Sequence, residues 1–473
     1  MKYDAVVIGS GPNGLSAAIE IARAGKSVCV LESNDLPGGG LRTAELTLPG
    51  FHHDVCSAIH PMAIVSPFFQ SLQLRKWGLE WIFPPAAFAH PFDDGTAALL
   101  YKDLNQTAEG LHNDGKNWKD VYSPFVKAPF SFLSEILRPI RIPKRPILLA
   151  RFGLMALRSA VGLAESKFST SSARALFAGC AAHSFIPLEA AGSASFGLAL
   201  SITGHAVGWP LAKGGSRKIC EALISCLASY GGEIQTGRRV KSINDLPESS
   251  VFLFDVSPRQ LLRIAGDELP QTYRNKLSNY KYGPGIFKID WAMSGPIPWK
   301  NKDCLQAGTV HVGGTMEEIA ACESGIWRNI HPEKPFVLVA QQSLFDPSRA
   351  PKEKQTAWAY CHVPNGSDVD MTERIERQIE RFAPGFRDLI LARHTFQTEQ
   401  LEAYNENCIG GDIAGGANNL FQVMARPVAR LNPYATPNPR IFICSSSTPP
   451  GGGVHGMCGH LAALSALNAL ASH

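Results

Sequence analysis

Six residues near the start of the chain, Gly9-Ser-Gly-Pro-Asn-Gly14, restrict its fold more than any other feature. They follow the apolar run Ala5–Ile8, which reads as a buried strand, and precede Leu15–Ala24, which reads as a short helix. The three glycines have separate tasks. Gly9 permits the tight turn, Gly11 lets the backbone approach a diphosphate with no side chain between them, and Gly14 lets the helix lie close to the strand. The phosphates would then meet the unpaired amides and positive dipole of a helix N-terminus. Ser27–Leu31 reads as a second parallel strand, and Glu32 ends it 18 residues after Gly14. A carboxylate there accepts hydrogen bonds from a ribose 2′-hydroxyl and repels a 2′-phosphate.

This pattern predicts an α/β chain with a Rossmann-type dinucleotide lobe. At 473 residues the chain exceeds one compact core, so a second lobe is expected. Ser216–Tyr230 reads as a helix stopped by Gly231, while Val251–Asp255 and Arg440–Cys444 read as further buried strands, so the nucleotide lobe returns late in the chain. A helix is expected from about Gly456. Phe287–Trp291 and Trp358–His362 alternate with period two and read as half-buried strands of a second sheet. Asp370 through Phe386 reads as an amphipathic helix, and the stretch before residue 200 as long, irregular and basic. The expected division is 1–65, 200–265 and 425–473 for the dinucleotide lobe, and 66–199 and 266–424 for an α+β substrate lobe.

Charge is nearly balanced, with 45 basic against 41 acidic residues, which argues against a nucleic-acid partner. Eleven cysteines occur without a Cys-x-x-Cys pair, so neither a disulfide framework nor a metal site is expected, and a reducing cytoplasm is the expected home. Met1 leads directly into a strand pattern, without the features of a secretory signal.

The choice of dinucleotide rests on Gly38-Gly-Gly-Leu-Arg42, a second glycine-rich approach to the same ligand that carries a cation for a phosphate. This favours FAD over NAD. No other such fingerprint follows a strand, so NAD(P)H is expected to lack its own domain, and electrons to leave to oxygen, a quinone or another acceptor.

These residues resemble the FAD-binding signature of the amine-oxidase and phytoene-desaturase superfamily. The likeness continues through Pro49-Gly-Phe51, Arg426-Pro427 to Tyr434, and Cys444-Ser-Ser-Ser-Thr-Pro-Pro-Gly-Gly-Gly-Val-His-Gly456, which is similar to the phytoene dehydrogenase-like branch. The resemblance implies a glutathione-reductase-like flavoprotein fold. It also implies cofactor contacts from Gly9, Ser10, Gly11, Pro12, Asn13, Gly14, Glu32, Ser33, Gly39, Gly40, Leu41 and Arg42, from Val240 at the adenine, and from Ser446, Ser447 and Gly453, Val454, His455, Gly456 and Met457 at the flavin. Two departures stand out. Gly40-Leu41 separates Arg42 from the glycine pair that it usually follows, and Ser446-Ser447 replaces a common aspartate or glycine.

His455 and His60 are the candidate acid or base groups, because histidine titrates near neutrality and can take a substrate proton as hydride leaves. Either residue is equally readable as a satisfied polar group beside a turn. Trp358, Tyr360 and His362 share one strand face, to line a pocket or to pack. Leu137–Lys167 mixes apolar residues with arginine and lysine, which suits peripheral membrane contact or a solvated cover over the substrate lobe. The activity expected is an FAD-dependent dehydrogenase, desaturase or oxidase taking hydride from a hydrophobic or extended organic substrate, an isoprenoid-like one being one such case. A flavin-dependent cis-trans isomerase and a non-catalytic FAD-stabilised scaffold are the alternatives.

Overall fold

The computed structural model describes residues 2–471. Five strands form a parallel sheet in the spatial order Ile441–Ile443, Ser249–Phe254, Tyr3–Ile8, Val28–Leu31 and Glu233–Gln235. The central strands are apolar along their whole length because both of their faces are covered. Ala5, Val7 and Val30 face one core cluster, and Val6, Ile8, Cys29 and Leu31 face another. The first helix is Pro12–Arg23, three residues longer at its start than the spacing predicts. Proline suits the first helical turn, whose amides lack partners in any case, so the helix begins inside the glycine motif. The closing helix, Met457–Ala471, crosses it so tightly that a Cβ on Gly459 would lie 1.8 Å from the Asn13 carbonyl oxygen.

The second sheet has seven strands, in the order Ile390–Phe396, Gly285–Met293, Gln355–Val363, Val337–Ala340, Ala307–Val312, Ala86–Pro91 and Ala97–Tyr101. Neighbours are antiparallel, apart from the parallel pairing of Ala307–Val312 with Ala86–Pro91. One face, with Phe287, Ile289, Trp291, Ala359 and Val339, packs on Ile375, Ile379 and Phe382 of helix Thr372–Phe382. The period-two alternation predicts strands that are half solvated, but both faces are buried. Lys288 and Asp290, the polar members of that alternation, are 1% and 0% exposed.

The stretch read as irregular folds into short helices, among them Gly115–Val126, Pro129–Ile136, Pro146–Ala156, Ala160–Lys167, Ser171–Ala181 and Ala194–Val207. Their periodicity is hard to read because prolines and serines cut the pattern into pieces of two to four turns. The lobe boundary expected at residue 200 falls inside helix Ala194–Val207, which packs as one piece on Ser171–Ala181. A Cβ on Gly197 would lie 2.8 Å from the Phe177 ring. The strands of the parallel sheet come from residues 3–31, 233–254 and 441–443, and those of the larger sheet from residues 86–101 and 285–396.

Candidate active site

Strand Tyr3–Ile8 ends at Gly9, whose φ of +101° lies in the region that favours glycine. A Cβ on Gly11 would meet the Asp255 carboxylate at 2.8 Å, and one on Gly14 would meet the Gly9 carbonyl oxygen at 2.0 Å. Gly9 and Gly11, with Ser10, Pro12 and Asn13, border a continuous cavity of ≈ 680 Å³, while Gly14 sits behind it as the packing glycine. Asp255, at the end of strand Ser249–Phe254, accepts the Gly14 amide at 2.9 Å. Burial pushes its carboxyl well above the usual carboxylate range, with the Glu32 charge adding to the shift.

Glu32 is buried, and both of its oxygens are engaged. The Ser10 amide and hydroxyl donate to one oxygen at 3.0 and 2.5 Å, and the Asn34 amide and side chain donate to the other at 2.9 and 3.1 Å. Burial would raise this carboxyl, but the Ser10 and Asn34 donors and nearby Arg42 outweigh it and hold the group below its ordinary value. The second glycine turn is not a free loop. The Gly38 amide donates to the Ser10 hydroxyl at 3.1 Å, and a Cβ on Gly39 would lie 3.1 Å from Gly11 Cα. Arg42 follows, with Nη2 3.5 Å from Glu32, Nε donating to the Leu36 carbonyl at 3.0 Å, and its guanidinium 5.2 Å from the Tyr404 ring centroid. Its Nη2 has no hydrogen bond, although it is buried. Ser33, Gly39, Gly40, Arg42 and Val240 all border the cavity. Leu41 does not. It faces the apolar core between the first helix and helix Arg217–Ser229, so only the backbone on either side of it reaches the cavity.

The C-terminal turn contributes Ser446, Gly453, Val454 and His455 to the same wall. Ser447, Gly456 and Met457 lie behind it. The Ser447 hydroxyl donates to the Gly415 carbonyl at 3.2 Å, and a Cβ on Gly456 would lie 2.2 Å from the Ser16 hydroxyl, which makes this glycine a packing residue. Met457 is buried and gives its amide to His455 Nδ1 at 3.0 Å. His455 therefore carries its proton on Nε2, which is buried without a partner. His60 Nε2 lies 2.9 Å from the Ser216 hydroxyl, which itself donates to the Ser57 carbonyl at 2.5 Å, so the free nitrogen of His60 is an unprotonated Nδ1. Burial pushes both histidines down to about 4, so both are neutral near pH 7. His455 is arranged to donate and His60 to accept.

Beyond the turn, the cavity runs under the larger sheet. It is walled there by Ile286, Leu338, Trp358, Tyr360, Phe185 and Trp209, and on the helical side by Leu137, Phe152 and Leu200. Trp358 and Tyr360 line the chamber, whereas His362 packs behind it, 2.8 Å from Glu323. Lys288 borders the chamber and donates to Asp290. Sequence reasoning did not single out Asp255, Lys288 or the 401–415 loop. Lys288 and Asp290 alternate with apolar residues on their strand, a pattern that a solvated face would also show, so the sequence does not mark them.

Leu137–Lys167 is split into two helices that meet at 105°, and no single helix among the described residues is long and apolar enough to cross a membrane. Arg151 and Arg158 donate to the Asp120 and Gly162 carbonyls, while Ile140, Ile142, Ile147 and Leu154 stand mostly exposed.

Residues 7–72 match the model of the NAD(P)-binding Rossmann-like domain. The chain is 24% identical to pyridine nucleotide-disulfide oxidoreductase domain-containing protein 2 of Rattus norvegicus, over 98% of this chain and 93% of that protein. It is 25% identical to a phytoene desaturase of Fusarium fujikuroi, over 79% of this chain and 69% of that enzyme. An oxidoreductase from Methanosarcina mazei superposes with a TM-score of 0.67 at 14% identity, covering 99% of this chain and 100% of that one. Putrescine oxidase bound to putrescine superposes with a TM-score of 0.61 at 16% identity, covering 99% and 98%. With its paired glycine turns on a parallel sheet and a chamber beneath a second sheet, the chain is similar in sequence to phytoene desaturases and shares its fold with putrescine oxidase, as an oxidoreductase built on a Rossmann-like domain.

Proposed function

We propose that the chain binds FAD and uses it to oxidise an extended, largely apolar organic substrate. The observation that carries this reading is the contact between the two glycine turns, which joins Glu32, Arg42 and the first helix N-terminus at one end of a cavity whose other end is an apolar chamber. The fit to a dinucleotide rests on three features: backbone glycines where a Cβ would intrude, a buried Arg42 Nη2 that makes no hydrogen bond, and a carboxylate held ionised at Glu32. Glu32 would take the adenosine ribose, Gly9–Asn13 and Arg42 the diphosphate, Val240 the adenine, and Gly453–His455 the isoalloxazine. Bound FAD would supply hydride acceptance.

The chain's own residues do the remaining work. His455 offers a neutral Nε2–H and His60 an uncharged Nδ1 at the cavity wall, so proton movement here uses neutral imidazoles. Lys288 keeps a cation beside the chamber, held in place by Asp290. Apolar walls exclude water from the reacting carbon. Electrons leave to oxygen, a quinone or another acceptor, in keeping with a single dinucleotide fingerprint. The exposed Ile147 and Leu154 share a helix with Phe152, and the exposed Phe421 and Met424 share one with Val423; both Phe152 and Val423 border the cavity. This supports entry of substrate from a lipid surface resting on that face.

The test is flavin content. Purified protein should carry FAD at near one equivalent, and that FAD should be released by Gly11→Leu. Protein that takes up no FAD on reconstitution would overturn the reading.

A further inference from the structure

Beyond the residues assigned to the dinucleotide, the chamber wall carries three polar groups that are not fully paired within the protein. His183, Thr309 and Tyr360 border the cavity among Phe185, Leu338, Trp209 and Leu200. Neither hydroxyl has a hydrogen-bond partner among the described residues. His183 Nε2 lies 3.0 Å from His311 Nε2, so one proton is shared between the two rings. Which ring owns it follows from burial. His311 Nδ1 is enclosed without a partner, with a Cβ on Gly179 reaching within 2.9 Å of it. A buried orphan N–H is rarer than a buried orphan acceptor, so Nδ1 of His311 is the bare nitrogen and its Nε2 carries the proton. His183 then accepts at Nε2, and its own proton sits on Nδ1. This leaves an N–H donor at the chamber wall.

The donor is uncharged, because burial pushes His183 down to about 3 and holds His311 well below its ordinary value. Among the described residues no three ligating side chains cluster, so the histidine pair is not a metal site. Glu323, whose charge acts to raise the Tyr360 hydroxyl, is held by His362, which Phe185 covers at a ring-centroid distance of 4.0 Å. That negative charge disfavours an anionic ligand. Lys288, Tyr360, Leu338 and His311 are register partners across four adjacent strands, which places His311 on the order of 14 Å from Lys288 at the usual strand spacing.

We propose that His183, Thr309 and Tyr360 form a site for an uncharged oxygen, a hydroxyl or carbonyl, at the end of an elongated and otherwise apolar substrate. A pure hydrocarbon would leave these three groups desolvated and unpaired, whereas an oxygen terminus pairs with them. This rests on the oxidoreductase reading above and narrows its substrate class.

The experiment titrates FAD-loaded protein with dodecan-1-ol, dodecane and dodecanoate, each delivered from cyclodextrin, and follows the emission of tryptophan, two of which, Trp209 and Trp358, border the chamber. Dodecan-1-ol should bind ~3- to 10-fold more tightly than either of the others, the range expected for one neutral hydrogen bond. His183→Leu should bring the alcohol to the level of dodecane without changing dodecane itself, and His183→Asn, which keeps an amide donor, should recover part of the preference. Thr309→Val, nearly isosteric, carries the test if His183→Leu melts early, and should weaken the alcohol alone by ~2- to 5-fold. Equal binding of alcohol and hydrocarbon by the native protein, or variants that weaken both ligands alike, would overturn the proposal. Flavin absorbance of the same samples reports separately on the dinucleotide reading, so the two can fail independently.

Discussion

Asp255 accepts the backbone N–H of Gly14 at 2.9 Å, joining the end of the sheet's fourth strand in chain order to the first helix across 241 positions of sequence. Its Oδ2 also lies 2.8 Å from where a Gly11 Cβ would be, behind the turn expected to hold a diphosphate. A negative charge there would oppose that ligand, and burial already favours the protonated acid. Because the folded-state pKa lies above the unfolded one, the unfolded chain binds fewer protons in the interval, and stability is lost as pH rises through the folded value. Asp255→Asn should keep the acceptor for Gly14, flatten the fall in melting temperature above about pH 4, and leave FAD affinity equal or improved. Asp255→Ala should instead cost about 1–3 kcal/mol by orphaning the amide. Melting curves between pH 4 and 9 separate the two.

Glu32 gives the opposite pH behaviour. Its folded-state pKa is lowered, so its contribution is present above the usual carboxylate range and is lost as the pH falls through the depressed value. The end of a short strand suggests a site near the surface, where removal would leave the fold intact. In the structure the carboxylate is buried beneath Ser10, Asn34 and Arg42. Glu32→Ala should therefore yield protein that is both pale and destabilised by about 3–5 kcal/mol, while Glu32→Gln should be milder and should lose the acid-side decline. Denaturant melts at pH 7 and pH 4.5, with flavin absorbance, check this.

Gly39 and Gly14 should fail in different ways. Gly39 has φ +55° and touches Gly11, so Gly39→Val should push the two turns apart and lower FAD occupancy while the sheet survives. Gly14→Ala sets a methyl against the Gly9 carbonyl and should lower the melting temperature of the flavin-free protein itself. Far-UV circular dichroism alongside the flavin-to-protein absorbance ratio distinguishes loss of ligand from loss of fold.

The parts of this site legible in the sequence are those built from consecutive residues. Gly9–Gly14 and Glu32 lie on one strand-helix-strand unit, so their spacing encodes their geometry, and the turn at Gly453–His455 has the same local logic. Asp255, Lys288 and His183 reach the cavity from separate strands and a helix end, and nothing local distinguishes them from ordinary polar residues. Lys288 shows why. Its alternation with Phe287 and Ile289 is what a half-solvated strand would display, and the polar face becomes an interior wall because the His53 segment packs against Asp290 and the Trp358 ring stands beside Lys288. Leu41 and Met457 show the reverse, since adjacency to a glycine of the cavity wall does not point a side chain into the cavity.

The lipid-facing reading makes its own prediction. Ile147 and Leu154 are 86% and 76% exposed on a helix whose Phe152 borders the cavity. The double variant Ile147→Glu with Leu154→Glu should abolish flotation with vesicles containing phosphatidylglycerol and leave the melting temperature within about 1 kcal/mol equivalent of native, because neither side chain is packed. Unchanged flotation would assign that face to solvent.

Lys288 and Asp290 offer the clearest test of what a buried charge does in the chamber wall. Both are almost fully enclosed and hydrogen-bonded to each other, and Asp290 Oδ1 also lies 3.5 Å from His53 Nδ1. Burial raises the Asp290 carboxyl to about 6 even though Lys288 acts to lower it. Its contribution is therefore complete below about pH 4 and declines as pH rises through about 6. Lys288→Met removes the balancing cation and strands a carboxylate in a dry wall, which should cost about 3–5 kcal/mol at pH 7 and extend the decline to higher pH. Asp290→Asn in the same background should recover most of that loss, because the pair is then replaced by groups that need no counter-charge. A double-mutant cycle at pH 5 and pH 8 measures the coupling, which should be larger at pH 8, where Asp290 is ionised in the native protein. Equal coupling at the two pH values would mean that Asp290 does not titrate between them, and would remove this pair as a source of pH-dependent stability near neutrality.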